Sequence, residues 1–107
     1  MRNVIIADDH PVVFRGLREI LRENFGGVVV EGAGTGRELI EKVKRNDYDL
    51  VLLDICLPDA NGLDILSDLR RKRPKLPVLV ISMYPEELYA VRAIRTGAQG
   101  YLTKQSA

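Results

Sequence analysis

The sequence predicts an α/β fold, a doubly wound five-stranded parallel sheet of strand order 2-1-3-4-5 with helices on both faces. Three observations predict it. Short apolar runs alternate along the chain with segments whose apolar residues recur at helical spacing. Two of the runs, residues 50–53 and 78–81, contain no polar residue, which is typical of strands buried on both faces. Parallel neighbours need a crossover between them, and the helical segments supply it.

The first half of the chain contains two strand–helix units. The apolar run at residues 4–7 stops at Asp8, and Pro11 suits the first turn of the helix that follows. Glycines at residues 26–27 end that helix before a second apolar run at residues 28–30. Thr35 and Glu38 then have the spacing of a capping box, which predicts a second helix. The apolar stripes of the two helices are formed by Val13, Leu17, Ile20 and Leu21 and by Leu39, Ile40 and Val43.

The second half continues the alternation. A third strand is predicted at residues 49–54, a turn at 57–62, and a third helix that ends near Pro74. After the fourth strand at 78–81, a fourth helix is predicted from about Pro85 to Thr96, and residues 99–103 form the fifth strand. Because only residues 105–107 follow Lys104, we expect one domain, residues 1–107, with the fifth helix missing.

Composition narrows the class of protein. A chain of 107 residues with 46% hydrophobic and 29% charged residues suits one globular domain with its own core. The balance of 16 lysines and arginines against 15 acids favours neither nucleic acid nor an anionic membrane as a partner. No apolar run approaches the roughly 20 residues that span a bilayer. Cys56 is the only cysteine and no leader is evident, so we expect a reduced, cytoplasmic protein.

Polar side chains mark the carboxyl ends of four predicted strands. Asp8 and Asp9 follow the first strand, and Asp54 ends the third. Ser82 and Lys104 follow the fourth and the fifth. Ligands of open parallel sheets bind beyond these ends. Because strands one and three are neighbours in the predicted order, we expect the three carboxylates to converge.

Three neighbouring carboxylates call for either raised pKa values or a cation. Two carboxylates about 4 Å apart repel each other by roughly 4 kcal/mol at an effective dielectric constant near 20. Hard oxygen ligands with room for water favour Mg²⁺. We therefore predict Mg²⁺ at Asp8, Asp9 and Asp54, with Asp54 as a nucleophile toward phosphorus. Lys104 and the hydroxyl of Ser82 would hold the remaining phosphoryl oxygens.

Each of these residues also has a plainer interpretation. An aspartate after a strand is often a helix cap or a turn residue, and a lysine near a terminus is usually solvated. The joint placement at four strand ends argues against these readings. For His10, the sole histidine, a surface or first-turn role is favoured over metal ligation. Cys56 is predicted to be a partly buried bystander and not a nucleophile.

At these residues the sequence resembles the receiver domains of bacterial two-component response regulators. Residues 6–11, 51–62 and 97–104 carry the resemblance, which covers the whole chain and is closest in pattern to the LuxR/NarL-type subfamily. The resemblance implies a flavodoxin-like fold and a self-dephosphorylating phosphoprotein switch that is not a turnover enzyme. It also implies a sensor histidine kinase as the phosphoryl donor and a DNA-binding output domain that lies outside this chain.

The resemblance assigns roles to matching positions. Asp54 is the implied phosphoacceptor, assisted by Lys104, and the implied metal ligands are Asp8, Asp9, Asp54 and the backbone carbonyl of Cys56. Phosphorylation is expected to change the face formed by the fourth helix and the fifth strand.

The resemblance also implies which residues change position on phosphorylation and which control access to the site. Ser82 is the implied switch hydroxyl and Tyr101 the implied switch aromatic. Met83 stands where many receivers have a small residue, and we expect it to narrow access to the site. The bulk of Tyr84, two residues beyond Ser82, is expected to hinder the attacking water and prolong the phosphorylated state.

Two further departures from the family pattern concern the end of the chain. Gln105 stands where many receivers have a cis-proline, and the fifth helix is missing. Without that helix, apolar surface beside the first helix would be exposed, and we expect self-association through this face or through an exchanged element.

Three other classes of protein remain as alternatives. A flavin or nucleotide module would bind phosphate after the first strand, where Asp8 and Asp9 repel it. A haloacid-dehalogenase-type phosphatase would need a second acid at the position of Cys56. A receiver-like interaction scaffold would be expected to have lost acidic residues, which this chain retains.

Overall fold

Strands and helices alternate along the chain. The computed structural model describes residues 1–84 and 86–104. The strands are β1 (Asn3–Ala7), β2 (Val29–Ala33), β3 (Leu50–Asp54), β4 (Cys56–Leu57), β5 (Ala60–Asn61), β6 (Val78–Ser82) and β7 (Gly100–Thr103). The helices are α1 (Pro11–Asn24), α2 (Gly36–Arg45), α3 (Gly62–Lys72) and α4 (Glu86–Thr96). The prediction that the fourth helix starts near Pro85 falls on a residue outside the described ones.

The main sheet has the predicted topology. Its five strands are all parallel and lie in the order β2-β1-β3-β6-β7, in which β6 and β7 are the fourth and fifth predicted strands. In the register of β1 and β3, Ala7 lies opposite Leu53. Asp8 and Asp54 each come next in the chain, so they reach the same edge of the sheet. The predicted fold class is confirmed.

Strand β2 is longer than predicted at its carboxyl end. The apolar run ends at Val30, but Glu31 and Gly32 continue the pairing with Ile5 and Ile6 of β1. Backbone hydrogen bonds to β1 do not depend on apolar side chains in an edge strand. Gly32 also leaves room for the ring of Phe14, whose Cε2 lies 3.0 Å from where a Cβ would stand.

The predicted turn after β3 contains a small antiparallel hairpin, β4–β5, that the sequence did not indicate. The hairpin turns the chain sharply into α3, and Gly62 donates its N–H to the carbonyl of Ile55 at 2.6 Å. A Cβ on Gly62 would lie 2.5 Å from the Cα of Ile55, so only glycine fits this close approach. The side chain of Asn61 then caps α3 by accepting the N–H of Leu63 at 2.8 Å.

The core is divided by the sheet into two unequal parts. One face packs against α2, α3 and α4 through a large cluster that includes Leu39, Leu53 and Leu66. The other face packs against α1 through a smaller cluster that includes Ile6 and Leu21. Burial of these side chains is the main stabilising term for the fold.

The α1 side of the sheet is the less covered of the two. A shallow groove of about 160 Å³, the α1 groove, is lined by Val13, Gly16, Leu17, Ile20, Ile81 and Lys104. Ile20 is 51% exposed, and Leu102 on β7 is 41% exposed. No helix follows β7 among the described residues, and the predicted departure at Gln105 lies outside them. In the part of the chain that the structure describes, no helix is both long and apolar enough to cross a bilayer.

Candidate functional site

Asp8, Asp9 and Asp54 converge at the carboxyl edge of the sheet, as predicted. One carboxylate oxygen from each of them and a ring nitrogen of His10 all lie within 4.8 Å of one another. Asp8 and Asp54 are buried, whereas Asp9 is exposed. The N-cap of α1 is His10, not either aspartate, and its side chain makes no capping hydrogen bond. The helix-cap interpretation of the acidic pair is therefore wrong.

Local backbone hydrogen bonds aim the two buried carboxylates. The Oδ1 atom of Asp8 accepts the N–H of His10 at 2.8 Å. In the same way, Oδ1 of Asp54 accepts the N–H of Cys56 at 3.1 Å. Both are bonds between residues two apart, a geometry that aspartate favours where a strand turns away from a sheet. The second oxygen of each carboxylate is left facing the centre of the site.

Lys104 supplies the positive charge for those second oxygens. Its Nζ atom lies 3.0 Å from Oδ2 of Asp8 and 3.2 Å from Oδ2 of Asp54. The backbone N–H of Lys104 donates to the carbonyl of Ser82 at 2.7 Å, which continues the β6–β7 pairing to the site. One ammonium is thus shared by two buried carboxylates.

The charges of the site shift each other's pKa. Burial raises the pKa of Asp54, and the nearby Asp8 raises it further, while the Cys56 N–H and Lys104 oppose the shift. Burial lowers the pKa of Lys104, but Asp8 and Asp54 more than offset this and hold it above its ordinary value. Three carboxylates against one ammonium leave an excess of negative charge. Hard oxygen donors with excess negative charge and an open cleft in front fit Mg²⁺.

The site opens into a cleft of about 420 Å³. Its lining comprises Asp9, His10, Asp54, Cys56, Leu57, Pro58, Met83, Tyr84 and Lys104. Cys56 is exposed and not partly buried as predicted, because the β4–β5 hairpin holds it on the solvent side of the cleft wall. The space is large enough to admit a phosphoryl group to Asp54.

The two predicted switch residues lie behind the cleft wall and contact the same residue. Ser82 is fully buried, and its Oγ atom accepts the N–H of Tyr84 at 3.0 Å. Tyr101 is also buried, and its hydroxyl donates to the carbonyl of Tyr84 at 2.9 Å. Neither side chain lines the cleft. Tyr84 therefore links the end of β6 to the aromatic residue of β7.

The two residues predicted to govern access lie at the cleft mouth. Met83 is 64% exposed and Tyr84 is 39% exposed. The Tyr84 hydroxyl meets the thiol of Cys56, a contact that raises the pKa of Tyr84. Its ring also packs at a tilt against Tyr89, with 5.0 Å between the ring centroids. The side chain of Tyr84 thus reaches across the mouth toward the β4–β5 hairpin.

One residue at the site, and one in the β4–β5 turn beside it, were not among the predicted site residues. His10 is half-exposed, but its Nδ1 atom lies 2.6 Å from Oδ1 of Asp8 and 3.2 Å from Nζ of Lys104. Its place directly after Asp8 and Asp9 was the signal for this. Asp59 accepts the N–H groups of Gly36 and Arg37 at 2.8 and 3.1 Å. These bonds lower the pKa of Asp59 and tie the hairpin to the start of α2, a contact that no pattern in the sequence indicates.

A five-stranded parallel sheet whose carboxyl edge gathers three aspartates and a lysine defines a class of phosphoacceptor domains. The family model described as the response regulator receiver domain matches residues 4–107. The chain belongs to this family, a domain of two-component signalling proteins.

Curated relatives are transcriptional regulators of this type. The chain is 37% identical over 103 residues to the nitrate/nitrite response regulator protein NarP of Escherichia coli, covering 96% of this chain and 48% of that protein. It is 34% identical over 102 residues to the transcriptional regulatory protein DegU of Brevibacillus brevis, covering 95% of this chain and 43% of that protein. The chain thus spans about half the length of the curated relatives it matches.

Solved structures share the fold over nearly the whole chain. The beryllofluoride-activated NtrC4 receiver domain dimer is 31% identical with a TM-score of 0.89, covering 97% of this chain and 84% of that one. A Burkholderia pseudomallei response regulator with a phosphorylated aspartic acid and a calcium ion is 26% identical with a TM-score of 0.86, covering 97% of this chain and 60% of that one.

Proposed function

We propose that this chain is the phosphorylation switch of a longer response regulator and that Asp54 accepts the phosphoryl group in a Mg²⁺-dependent step. The observation that carries the proposal is the carboxylate of Asp54, which is buried between Lys104 and Asp8 yet lines an open cleft. The phosphoryl donor would be a sensor histidine kinase. The output would be a transcriptional domain outside this chain, as the names of the curated relatives suggest.

The transfer forms one bond and breaks another. A carboxylate oxygen of Asp54 attacks the phosphorus of a phosphohistidine, and the P–N bond breaks as the new P–O bond forms. The leaving imidazole nitrogen keeps the electron pair. Lys104, whose Nζ already contacts Asp54 Oδ2, stands ready to hold an oxygen of the transferred group. The chain keeps the phosphoryl group until water removes it, so it is not a turnover enzyme.

The acidic cluster would hold the cation. Asp8, Asp9 and Asp54 supply carboxylate oxygens, and Cys56 lies on the cleft wall, where its backbone carbonyl is proposed as a further ligand. When bound, Mg²⁺ would neutralise negative charge on the phosphoryl oxygens.

The signal would leave the site through Tyr84. Before phosphorylation, Ser82 is engaged by the N–H of Tyr84, and the hydroxyl of Tyr101 is engaged by its carbonyl. A phosphoryl oxygen on Asp54 would accept the O–H of Ser82 and draw this side chain away from the Tyr84 N–H, because a charged acceptor forms a stronger hydrogen bond than a neutral one. Movement of Ser82 would then disturb the link to Tyr101 and change the surface of α4 and β7.

We further propose self-association through the α1 groove. Exposed Ile20 and the apolar groove floor would become buried between two copies. Sedimentation at rising protein concentration should show association, and Ile20→Glu should abolish it. A monomer at all concentrations would contradict this proposal without touching the phosphoryl chemistry. We also propose a cytoplasmic location, because the chain would have to meet the proposed phosphoryl donor, a sensor histidine kinase, in that compartment.

The experiment is intact mass spectrometry after incubation with acetyl phosphate and Mg²⁺. The wild type should gain the mass of one phosphoryl group, and Asp54→Asn should gain none. Asp64→Asn is a matched control, because Asp64 is an exposed aspartate in the first turn of α3. Removal of the cation with EDTA should prevent the gain. An equal gain in the wild type and Asp54→Asn would refute the assignment.

A further inference from the structure

The sole histidine of the chain faces the acidic cluster. The Nδ1 atom of His10 lies 2.6 Å from Asp8 Oδ1, 3.3 Å from Asp9 Oδ1 and 3.8 Å from Asp54 Oδ2. Each of the three carboxylates of the proposed cation site is therefore close to the same imidazole nitrogen. No other histidine is present in the chain.

These distances fit one ion shared by four ligands. Adjacent ligands of an octahedral ion with bonds of about 2.1 Å lie about 3.0 Å apart, and opposite ligands about 4.2 Å apart. The three nitrogen–oxygen distances fall around the first value and below the second. Since all four ligand atoms lie within 4.8 Å of one another, only a small closing movement is needed to bind a single ion.

The imidazole is not used by the helix that it begins. His10 is the N-cap of α1, but its side chain makes no capping hydrogen bond. Its backbone N–H, which donates to Asp8 Oδ1, does not depend on the side chain. The side chain is 49% exposed, so it is not held in place by packing in the core. Its orientation toward the carboxylates therefore has no structural cause in α1.

The imidazole is not needed to pair Lys104. The Nζ atom of Lys104 lies 3.2 Å from Nδ1 of His10, but it also contacts Asp8 Oδ2 at 3.0 Å and Asp54 Oδ2 at 3.2 Å. The ring nitrogen therefore lies among carboxylate oxygens without a role in the ion pairs of the lysine. Imidazole nitrogen and carboxylate oxygen are atoms that ligate a divalent cation together.

We propose that His10 is a fourth side-chain ligand of the cation and biases the site toward metals that accept nitrogen, Mn²⁺ above Mg²⁺. Mg²⁺ strongly prefers oxygen ligands, whereas imidazole suits first-row transition metals. This inference rests on the cation site of the proposed function. It adds that the same receiver chemistry in this chain responds to the identity of the available metal.

Mn²⁺ is the probe, because it is paramagnetic and replaces Mg²⁺ at oxygen-rich sites. Electron spin echo envelope modulation of the Mn²⁺-loaded, tag-free protein should show nitrogen-14 coupling typical of a directly bound imidazole. The signal has one possible source, since the chain has one histidine. His10→Ala should lose the coupling and still bind Mn²⁺, because the three carboxylates remain. Asp9→Asn is the control that should weaken Mn²⁺ binding itself.

A competition experiment measures the bias. Mg²⁺ should displace Mn²⁺ from His10→Ala at a concentration about tenfold or more below that needed for the wild type. Mutation of a residue that only hydrogen-bonds to a metal ligand already lowers metal affinity by about tenfold or more, so the loss of a direct ligand should have at least this effect. Bound Mn²⁺ without nitrogen-14 coupling, or equal displacement in both proteins, would overturn the inference and leave the proposed function standing. If the wild type does not bind Mn²⁺ or Mg²⁺ at all, the inference and the cation site fail together. Phosphoryl transfer to Asp54 is measured separately by mass.

Discussion

Lys104 Nζ lies 3.2 Å from Asp54 Oδ2, although the two residues are 50 positions apart in the chain. The same ammonium lies 3.0 Å from Asp8 Oδ2. The carboxyl ends of β1, β3 and β7 thus contribute to one network of ion pairs, which consists of Asp8, Asp54 and Lys104. The geometry of the site depends on this network, because each buried carboxylate has one oxygen on a backbone N–H and the other on Lys104.

Lys104→Met should destabilise the fold by about 2 kcal/mol, because it leaves two buried carboxylates without their cation. In the Asp54→Asn background the cost should be smaller, since only Asp8 then loses a charged partner. The coupling is measured by denaturant unfolding of the four proteins in this double-mutant cycle. The same cost in both backgrounds would show that the lysine and Asp54 do not act as a unit.

Asp54→Asn should stabilise the metal-free protein by about 1 kcal/mol at pH 7, a rise in Tm of roughly 4–8 °C. The pKa of Asp54 is raised on folding, so the folded state binds its proton more tightly than the unfolded state. Stability therefore falls as pH rises from the unfolded-state pKa, about 3.9, through the raised folded-state pKa. The advantage of the variant should be complete above this window and disappear as pH falls below it. Thermal unfolding in EDTA from pH 4 to 8 checks this, and a variant less stable than the wild type at pH 7 would contradict it.

Tyr84→Ala should shorten the lifetime of the phosphorylated protein severalfold, a barrier change of about 1 kcal/mol. The ring stands at the cleft mouth, with its hydroxyl against Cys56, and from there we expect it to hinder the approach of water to Asp54. Tyr84→Phe is the matched control, because it keeps the ring and should keep the slow rate. The decay of the phosphorylated mass after removal of the donor gives the rate. If Tyr84→Ala decays at the wild-type rate, the ring does not shield the site.

Tyr101→Phe should cost about 1 kcal/mol of stability in the unphosphorylated state, because the hydroxyl donates to the backbone carbonyl of Tyr84. Phosphoryl uptake at Asp54 should be retained, since Tyr101 does not line the cleft. Denaturant unfolding measures the first effect and intact mass the second. Loss of phosphoryl uptake in this variant would place Tyr101 in the chemistry rather than in the switch.

The fold was predictable because its signals are local. Runs such as residues 50–53 and 78–81 form the paired central strands β3 and β6, and Thr35 caps α2 as expected. The Thr35 hydroxyl accepts the N–H of Glu38 at 3.1 Å. The carboxylate of Glu38, however, accepts the N–H of Gly34, one residue before the cap, and not the N–H of Thr35 as in a complete capping box. The extension of β2 through Glu31 was missed because its cause is pairing with β1 and not its own side chains.

The candidate site was predictable where strand ends determine it and less so where loops do. Asp8, Asp54 and Lys104 meet because parallel strands bring their carboxyl ends together. The place of His10 directly after Asp8 and Asp9 indicated that it is near them but not that its ring turns toward Asp8. The bond between Asp59 and the start of α2 joins residues 23 positions apart, and spacing along the chain carries no information on that contact.

The most direct test of the central claim is to locate the phosphoryl group. Borohydride reduces an aspartyl phosphate to homoserine, and peptide sequencing by mass spectrometry then identifies the residue that was converted. After incubation with acetyl phosphate and Mg²⁺, we expect homoserine at position 54 and unchanged aspartates at positions 8 and 9. Conversion at Asp8 or Asp9, or no conversion in a protein whose fold is intact, would contradict the assignment of Asp54 as the phosphoacceptor.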